Sequence, residues 1–301
     1  MASDEGPVVQ SARLRGELIR LRKDSGLTQE QVARDLDWSP IKLLRMEGGH
    51  NSIRMVDLDA LLTKYGVASE SVRERLRAIN REARERGWWW RYEDVCSAAQ
   101  RDYIGYEAGA TCVRQSPGAA IPELLQTREY AKAHIAGLAD AQLRTFRGSS
   151  DPSRLANEVA ALRLQRQSEL AERSAPPRQY YVLDEGVIRR HVGIERDSMI
   201  MPDQLRHIAD KAEGDQLIKV QVIPFRAGAH PGLYGPFTLL EFDGDLPDRV
   251  YLGVGPEMIA RTDDYGAIVA DYAEAFEALL KVALSADESI DFIRRAAEDM
   301  S

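Results

Sequence analysis

Cysteine is nearly missing from this chain of 301 residues; there are two, Cys96 and Cys112. Neither sits in a C-x-x-C pair, so the sequence holds no disulfide framework and no thiolate metal site, and a reducing compartment is the expected setting. Long apolar runs are missing as well. No stretch of 18 apolar residues occurs, and the first residues hold no apolar core of signal-peptide length. The expectation is a cytoplasmic, nucleoid-associated chain with no membrane contact. Histidine is scarce: His50, His134, His191, His207 and His230 include no H-x-x-x-H pair. The G-x-S-x-G elbow, the G-x-x-x-x-G-K-[ST] loop and a strand-linked G-x-G-x-x-G are all lacking. Asp184 and Glu185 are adjacent at a strand end, where a helix cap suits them better than acid/base chemistry. The chain is therefore expected to be no enzyme, with no catalytic residues, cofactor or metal.

What is present describes a globular protein with room for two domains, at 44% apolar and 29% charged residues. The formal net charge is −8, which argues against a wholly basic surface. The charge is unevenly placed. Residues 1–92 hold 17 Lys and Arg against 14 Asp and Glu, whereas the remainder holds 23 against 34. A mildly basic head on an acidic body suits a chain that touches nucleic acid with one end.

The head is organised around Leu27–Glu47, LTQEQVARDLDWSPIKLLRME. Thr28 followed by Gln31 fits a capping box, and Val32, Ala33 and Leu36 give the first short helix an apolar face. Asp37-Trp38 is the turn, Ser39 the expected N-cap and Pro40 the first residue of a second helix. Leu43 and Met46 carry that helix's inner face, and Gly48-Gly49 ends it. Two helices this short need others packed around them. Ser11–Ser25 supplies one, through Leu14, Leu18 and Leu21, and Met55–Tyr65 another, through Val56, Leu58, Leu61 and Leu62. Ser71–Arg86 is a fifth, with Val72, Leu76, Ile79 and Ala83 in a seam that packs either on the head or on a second copy. The form is that of a helix-turn-helix DNA reader.

The run GLTQEQVA, then WSPIKLLRMEGG, then a further helix ending in YGV resembles the phage-repressor-type helix-turn-helix of the xenobiotic-response-element class, over about residues 11–66. RERGWWWRYEDV, IPELLQTREYA and VQVIPFRAGAHPGLYGPFTLLEF extend the resemblance to a narrower group, the WhiJ-like regulators of Streptomyces and other actinomycetes, whose C-terminal domain is uncharacterised. The resemblance implies sequence-specific binding to double-stranded DNA, usually as a homodimer, and membership of a group often encoded beside a small acidic partner protein.

Position by position, Gln29 is placed to clamp a phosphate at the start of the first reader helix, as this position does in the resembling repressors. Pro40, Ile41, Leu44 and Arg45 belong to the outward side of the second helix, and Ser39 ahead of it is a further DNA-binding candidate. Arg45 is the base reader, a guanidinium matching O6 and N7 of guanine, or else a phosphate contact. Lys42 is assigned to a phosphate, and His50, Asn51 and Arg54 to phosphates across the groove. Ile41 and Leu44 depart from the polar residues expected on a DNA face; Ile41 rests on a thymine methyl, or both complete the core. Arg22 and Glu47 are expected to pair, as in the resembling repressors, which makes Glu47 architecture.

Beyond the head, Trp88-Trp89-Trp90 cannot all face one way on a helix; they wedge a linker helix onto the next domain or stack a base or ligand. Tyr103, Tyr106, Val113 and Ile121 continue an apolar series. Helices are expected over Pro122–Gly137, 153–173, 202–213 and 264–284, with a last one opening at the capping box Ser285…Glu288. Gln179–Leu183, Ile218–Phe225, Phe237–Phe242 and Arg249–Val254 read as strands. The loop Arg226–Pro236, carrying His230 and Tyr234, is either a lid or a surface turn.

The expected architecture is mainly α, then α+β: a disordered tail (1–10), a helix-turn-helix domain (11–69) completed as five helices by a linker helix (70–92), and a C-terminal regulatory and dimerisation domain (93–301). The last is an α+β domain with a small, mainly antiparallel sheet flanked by helices. Two functions fit. One is a dimeric transcriptional regulator on an inverted-repeat operator, controlled through its C-terminal domain by a small molecule or a small partner protein. The other is a protein-interaction or antitoxin-like module in which DNA binding is secondary.

Overall fold

A computed structural model describes residues 5–140, 151–253, 259–261 and 265–301. The chain forms two compact units. One runs through Trp88 and takes in Asp243–Leu246; the other comprises Trp89–Phe242 and Pro247–Ser301.

The first unit is built from α1 (Gly6–Asp24), α2 (Gln29–Asp35), α3 (Pro40–Glu47), α4 (Met55–Lys64) and α5 (Glu70–Ala83). Their apolar stripes meet in one core holding Leu14, Leu18, Val32, Leu43, Met46, Leu58, Leu61, Leu62 and Leu76. Each such leucine, removed from water, contributes about 2 kcal/mol, and no helix of this length closes a core alone. Two expectations need correcting. Residues 6–10, read as disordered tail, are the first turns of α1; Pro7 opens them and Val9 and Gln10 are buried. Val56, read as part of the inner face of α4, is 67% exposed. The α5 seam packs on the head, with Leu76 fully buried and Val72 and Ile79 against the same core. The helix read as a linker is thus a wall of this unit.

The second unit carries a six-stranded mixed sheet in the order β3-β2-β1-β4-β5-β6, from β1 (Cys112–Gln115), β2 (Arg178–Asp184), β3 (Ile218–Ile223), β4 (Phe237–Glu241), β5 (Arg249–Leu252) and β6 (Ile259–Arg261). β1, β2 and β3 run parallel; the β1–β4, β4–β5 and β5–β6 pairings are antiparallel. α6 (Ala98–Glu107) precedes β1. The parallel half requires long crossovers, and helices supply them: α7 (Arg128–Asp140) and α8 (Pro152–Ala171) lie between β1 and β2, and α9 (Glu185–Ile188) and α10 (Ile200–Gly214) between β2 and β3. α11 (Tyr265–Val282) and α12 (Ala286–Asp299) follow the sheet. Alternation along β2 sends Tyr181 and Leu183 into one apolar layer with α10 and α12, and Val182 into another with Phe276 and Leu279 of α11.

β1 and β6 were not expected from the sequence. The expected strand end at Val254 and helix start at residue 264 lie outside the described residues. The helix expected over Pro122–Gly137 is broken: a 3-10 turn at Glu123–Leu125 precedes α7. Gln126 is extended there and fully buried, donating to the Ile121 carbonyl at 2.7 Å and accepting from Arg163 at 2.6 Å. Gln204 of α10 bridges the same break, taking the Thr127 N–H and giving to the Leu125 carbonyl.

A buried ion network ties α6, α8 and this turn together. Arg166 grips Glu107 with two bonds of 2.8 and 2.9 Å and also meets Glu123. Arg163 reaches Glu123 at 2.7 Å. Burial drives the Glu123 carboxyl upward, but the two guanidiniums outweigh it and hold it at about 2. Two cations and two anions leave the cluster neutral, as burial requires. Among the described residues, no helix is long and apolar enough to cross a membrane.

Candidate nucleic-acid interface

The reader helices are fixed by local chemistry before any packing. Thr28 and Gln31 form the reciprocal capping box, the Thr28 hydroxyl accepting from the Gln31 N–H and the Gln31 amide oxygen from the Thr28 N–H at 2.8 Å. The turn passes through Asp37 at φ 54°, a left-handed conformation that aspartate tolerates better than most residues. Ser39 precedes α3 and Pro40 opens it, but the Ser39 hydroxyl makes no cap bond; the missing Pro40 N–H lowers the number of donors to satisfy. Past α3, Gly49 adopts φ +78°, and a Cβ there would lie 2.9 Å from the Arg15 guanidinium carbon. The positive φ is what favours glycine there, since the Arg15 side chain can move aside.

α3 is divided cleanly. Leu43 and Met46 are buried, whereas Ile41 is 58% and Leu44 56% exposed, so neither completes the core. Arg45 is exposed and its guanidinium has no partner among the described residues. Ser39, Pro40, His50 and Asn51 are exposed too.

Three residues assigned to phosphate make side-chain contacts within the unit. Gln29 gives its amide to Glu47 at 2.6 Å. Glu47 is the expected partner of Arg22, bound by bonds of 2.7 and 2.9 Å. Lys42 places Nζ 2.7 Å from Asp57 Oδ1 and 3.6 Å from the centre of the Trp38 ring. Arg54 donates to the other oxygen of Asp57 at 2.9 Å, with its side chain still two-thirds exposed. Burial raises the Asp57 carboxyl, and the bonds from Arg54 and Lys42 overcome this to hold it below the usual carboxylate range. Asp57 and Trp38 are the residues that sequence reasoning missed as organisers of this face. An acid in the first turn of α4 is an ordinary helix feature, so nothing in the sequence marked it as the anchor of two cations.

In the second unit, Trp89 is buried while Trp90 is 39% exposed beneath the Arg101 guanidinium at 5.2 Å. A buried Trp89 and a covered Trp90 fit packing better than base stacking. The loop Arg226–Pro236 contains two 3-10 turns, Phe225–Ala227 and Pro231–Tyr234. His230 is buried there with Nε2 3.6 Å from Asp184 Oδ2, and Tyr234 is fully exposed. Asp184 caps α9 through the Gly186 N–H, and Glu185 pairs with Arg189. Among the described residues, no group of three or more His, Cys, Asp or Glu side chains could hold a metal.

Comparison with known families matches residues 13–76 to a helix-turn-helix domain, which points to a DNA-binding regulator. No curated protein and no solved structure matches the chain. Residues 100–295 match a family described as domain of unknown function (DUF5753). This match covers most of the chain, which belongs to the DUF5753 family.

Proposed function

We propose that this chain is a sequence-specific transcriptional regulator that binds an inverted-repeat operator as a homodimer and is controlled through its C-terminal domain by a small molecule or a small acidic partner protein. The observation that carries the DNA-binding part is the division of α3. Its inner residues close the core, its own Lys42 and, outside it, Arg22 and Arg54 make internal ion pairs, and Arg45 is left exposed and unpaired. A free guanidinium on the outward face of a reader helix is suited to guanine O6 and N7. The resemblance to the WhiJ-like regulators supports the dimer and the partner. The acidic second region suits regulation over DNA contact, and the reading assigns the chain no catalysis and a cytoplasmic place. Arg45→Ala is the test: it should remove protection of the chain's own upstream DNA without unfolding the protein. Unchanged binding would remove Arg45 from the reading.

The exposure of Ile41 and Leu44 favours a second reading, in which this face docks a protein. DNA binding that stays weak, salt-governed and sequence-blind would select it.

A further inference from the structure

We infer that α3 reads its operator chiefly through thymine methyl groups, with Ile41 and Leu44 as the specificity-determining residues beside Arg45; the inference rests on the DNA-binding reading above. α3 has few polar side chains left for bases. Lys42 is held by Asp57 and by the Trp38 ring, and Pro40 has neither a polar side chain nor an N–H. What projects from the outward side, besides Arg45 and the exposed Ser39 that precedes the helix, is a pair of branched aliphatic side chains, 58% and 56% exposed.

The one apolar group on base edges in the major groove is the C5-methyl of thymine. Burying Ile41 and Leu44 against any other edge would desolvate a base donor or acceptor with no bond in return. Flanking charge favours this occupant: Arg45 stands four residues from Ile41 on the same helix, and Arg54 remains two-thirds exposed nearby in sequence. Residues three apart on a helix have Cβ atoms about 5–6 Å apart, and base pairs are spaced about 3.4 Å along the axis. The two side chains therefore reach methyls one or two steps apart. Each half-site should hold two such thymines, beside the guanine that Arg45 takes.

The test replaces each thymine of the protected half-site by deoxyuridine, which deletes the methyl and nothing else. Affinity of the full chain should fall about fourfold per contacted methyl, the transfer free energy of one methyl group. 5-Methylcytosine at the same position should bind more tightly than cytosine, because it returns the methyl without thymine O4. The Ile41→Ala, Leu44→Ala double variant changes only exposed residues and should be indifferent to deoxyuridine. Equal deoxyuridine penalties in the wild type and this variant, or no penalty at any thymine, would overturn the inference while leaving the DNA-binding reading intact. Lack of any sequence-specific protection would overturn both.

Discussion

Arg22 and Glu47 form a two-pronged ion pair, Nε to Oε1 at 2.7 Å and Nη2 to Oε2 at 2.9 Å, that bolts α1 to the last residue of α3. Both side chains are nearly buried, 12% and 8% exposed, and Arg22 also holds the Leu27 carbonyl ahead of α2. The pose of the reader helix is thus set from behind, by groups that do not face outward. Arg22→Ala leaves the Glu47 carboxylate buried without its cation. Its expected cost is about 3 kcal/mol, measured as a shift in denaturant midpoint. Replacing both residues by alanine should cost less than the sum of the two single changes; additive losses would show that the pair is not coupled.

The Lys42–Asp57–Arg54 cluster yields a prediction about salt. Asp57 withholds at least part of two cations from solvent. Asp57→Asn removes that anion and releases Lys42, so DNA binding should gain a phosphate contact and its log-log salt slope should steepen by about one unit. Affinity measured from low to moderate salt checks this. A slope equal to that of the wild type would mean that Lys42 already contacts phosphate or never reaches it.

His134 makes the second unit sensitive to mild acid. Burial, reinforced by Arg163 and opposed by Glu123, lowers its pKa from 6.5 to about 4. The imidazole stacks against Tyr130 at 5.9 Å. A folded pKa below the unfolded one means that the unfolded chain binds the proton first. Stability is therefore unaffected above about pH 6.5, falls as the pH drops from there toward 4, and levels off below, with a total loss of up to about 3 kcal/mol. His134→Phe keeps a ring against Tyr130 and removes the titration. Unfolding followed between pH 7 and pH 4.5 should be less pH-dependent in this variant; the same dependence in both would assign the effect to other groups.

The head was the legible part of the sequence because its determinants are local. Thr28 with Gln31, Pro40 at the start of α3 and the spacing of Leu43 and Met46 each act within one turn of helix, and the structure shows all of them. The short central strand β1 escaped for the opposite reason. β1 is Cys-Val-Arg-Gln, four residues with no apolar run, and it is a strand because β2 and β4 pair on either side of it. The partners of Lys42 and Gln29 were equally hidden: Asp57 lies 15 residues from Lys42 and Glu47 18 from Gln29, with no periodicity to connect them. The exposure of Ile41 and Leu44 was left open by the sequence, since an apolar side chain on a short helix fits a core or a groove equally well.

The most direct measurement is a footprint of the full chain on its own upstream DNA, run with the wild type and with Arg45→Ala, folding being checked by circular dichroism. Two protected half-sites related by a dyad are expected, centred about 34 Å apart, one helical turn, with loss of both in Arg45→Ala while the protein keeps its helix content. Protection that persists unchanged in Arg45→Ala, or a wild type that protects no site above its background on unrelated DNA, would contradict this.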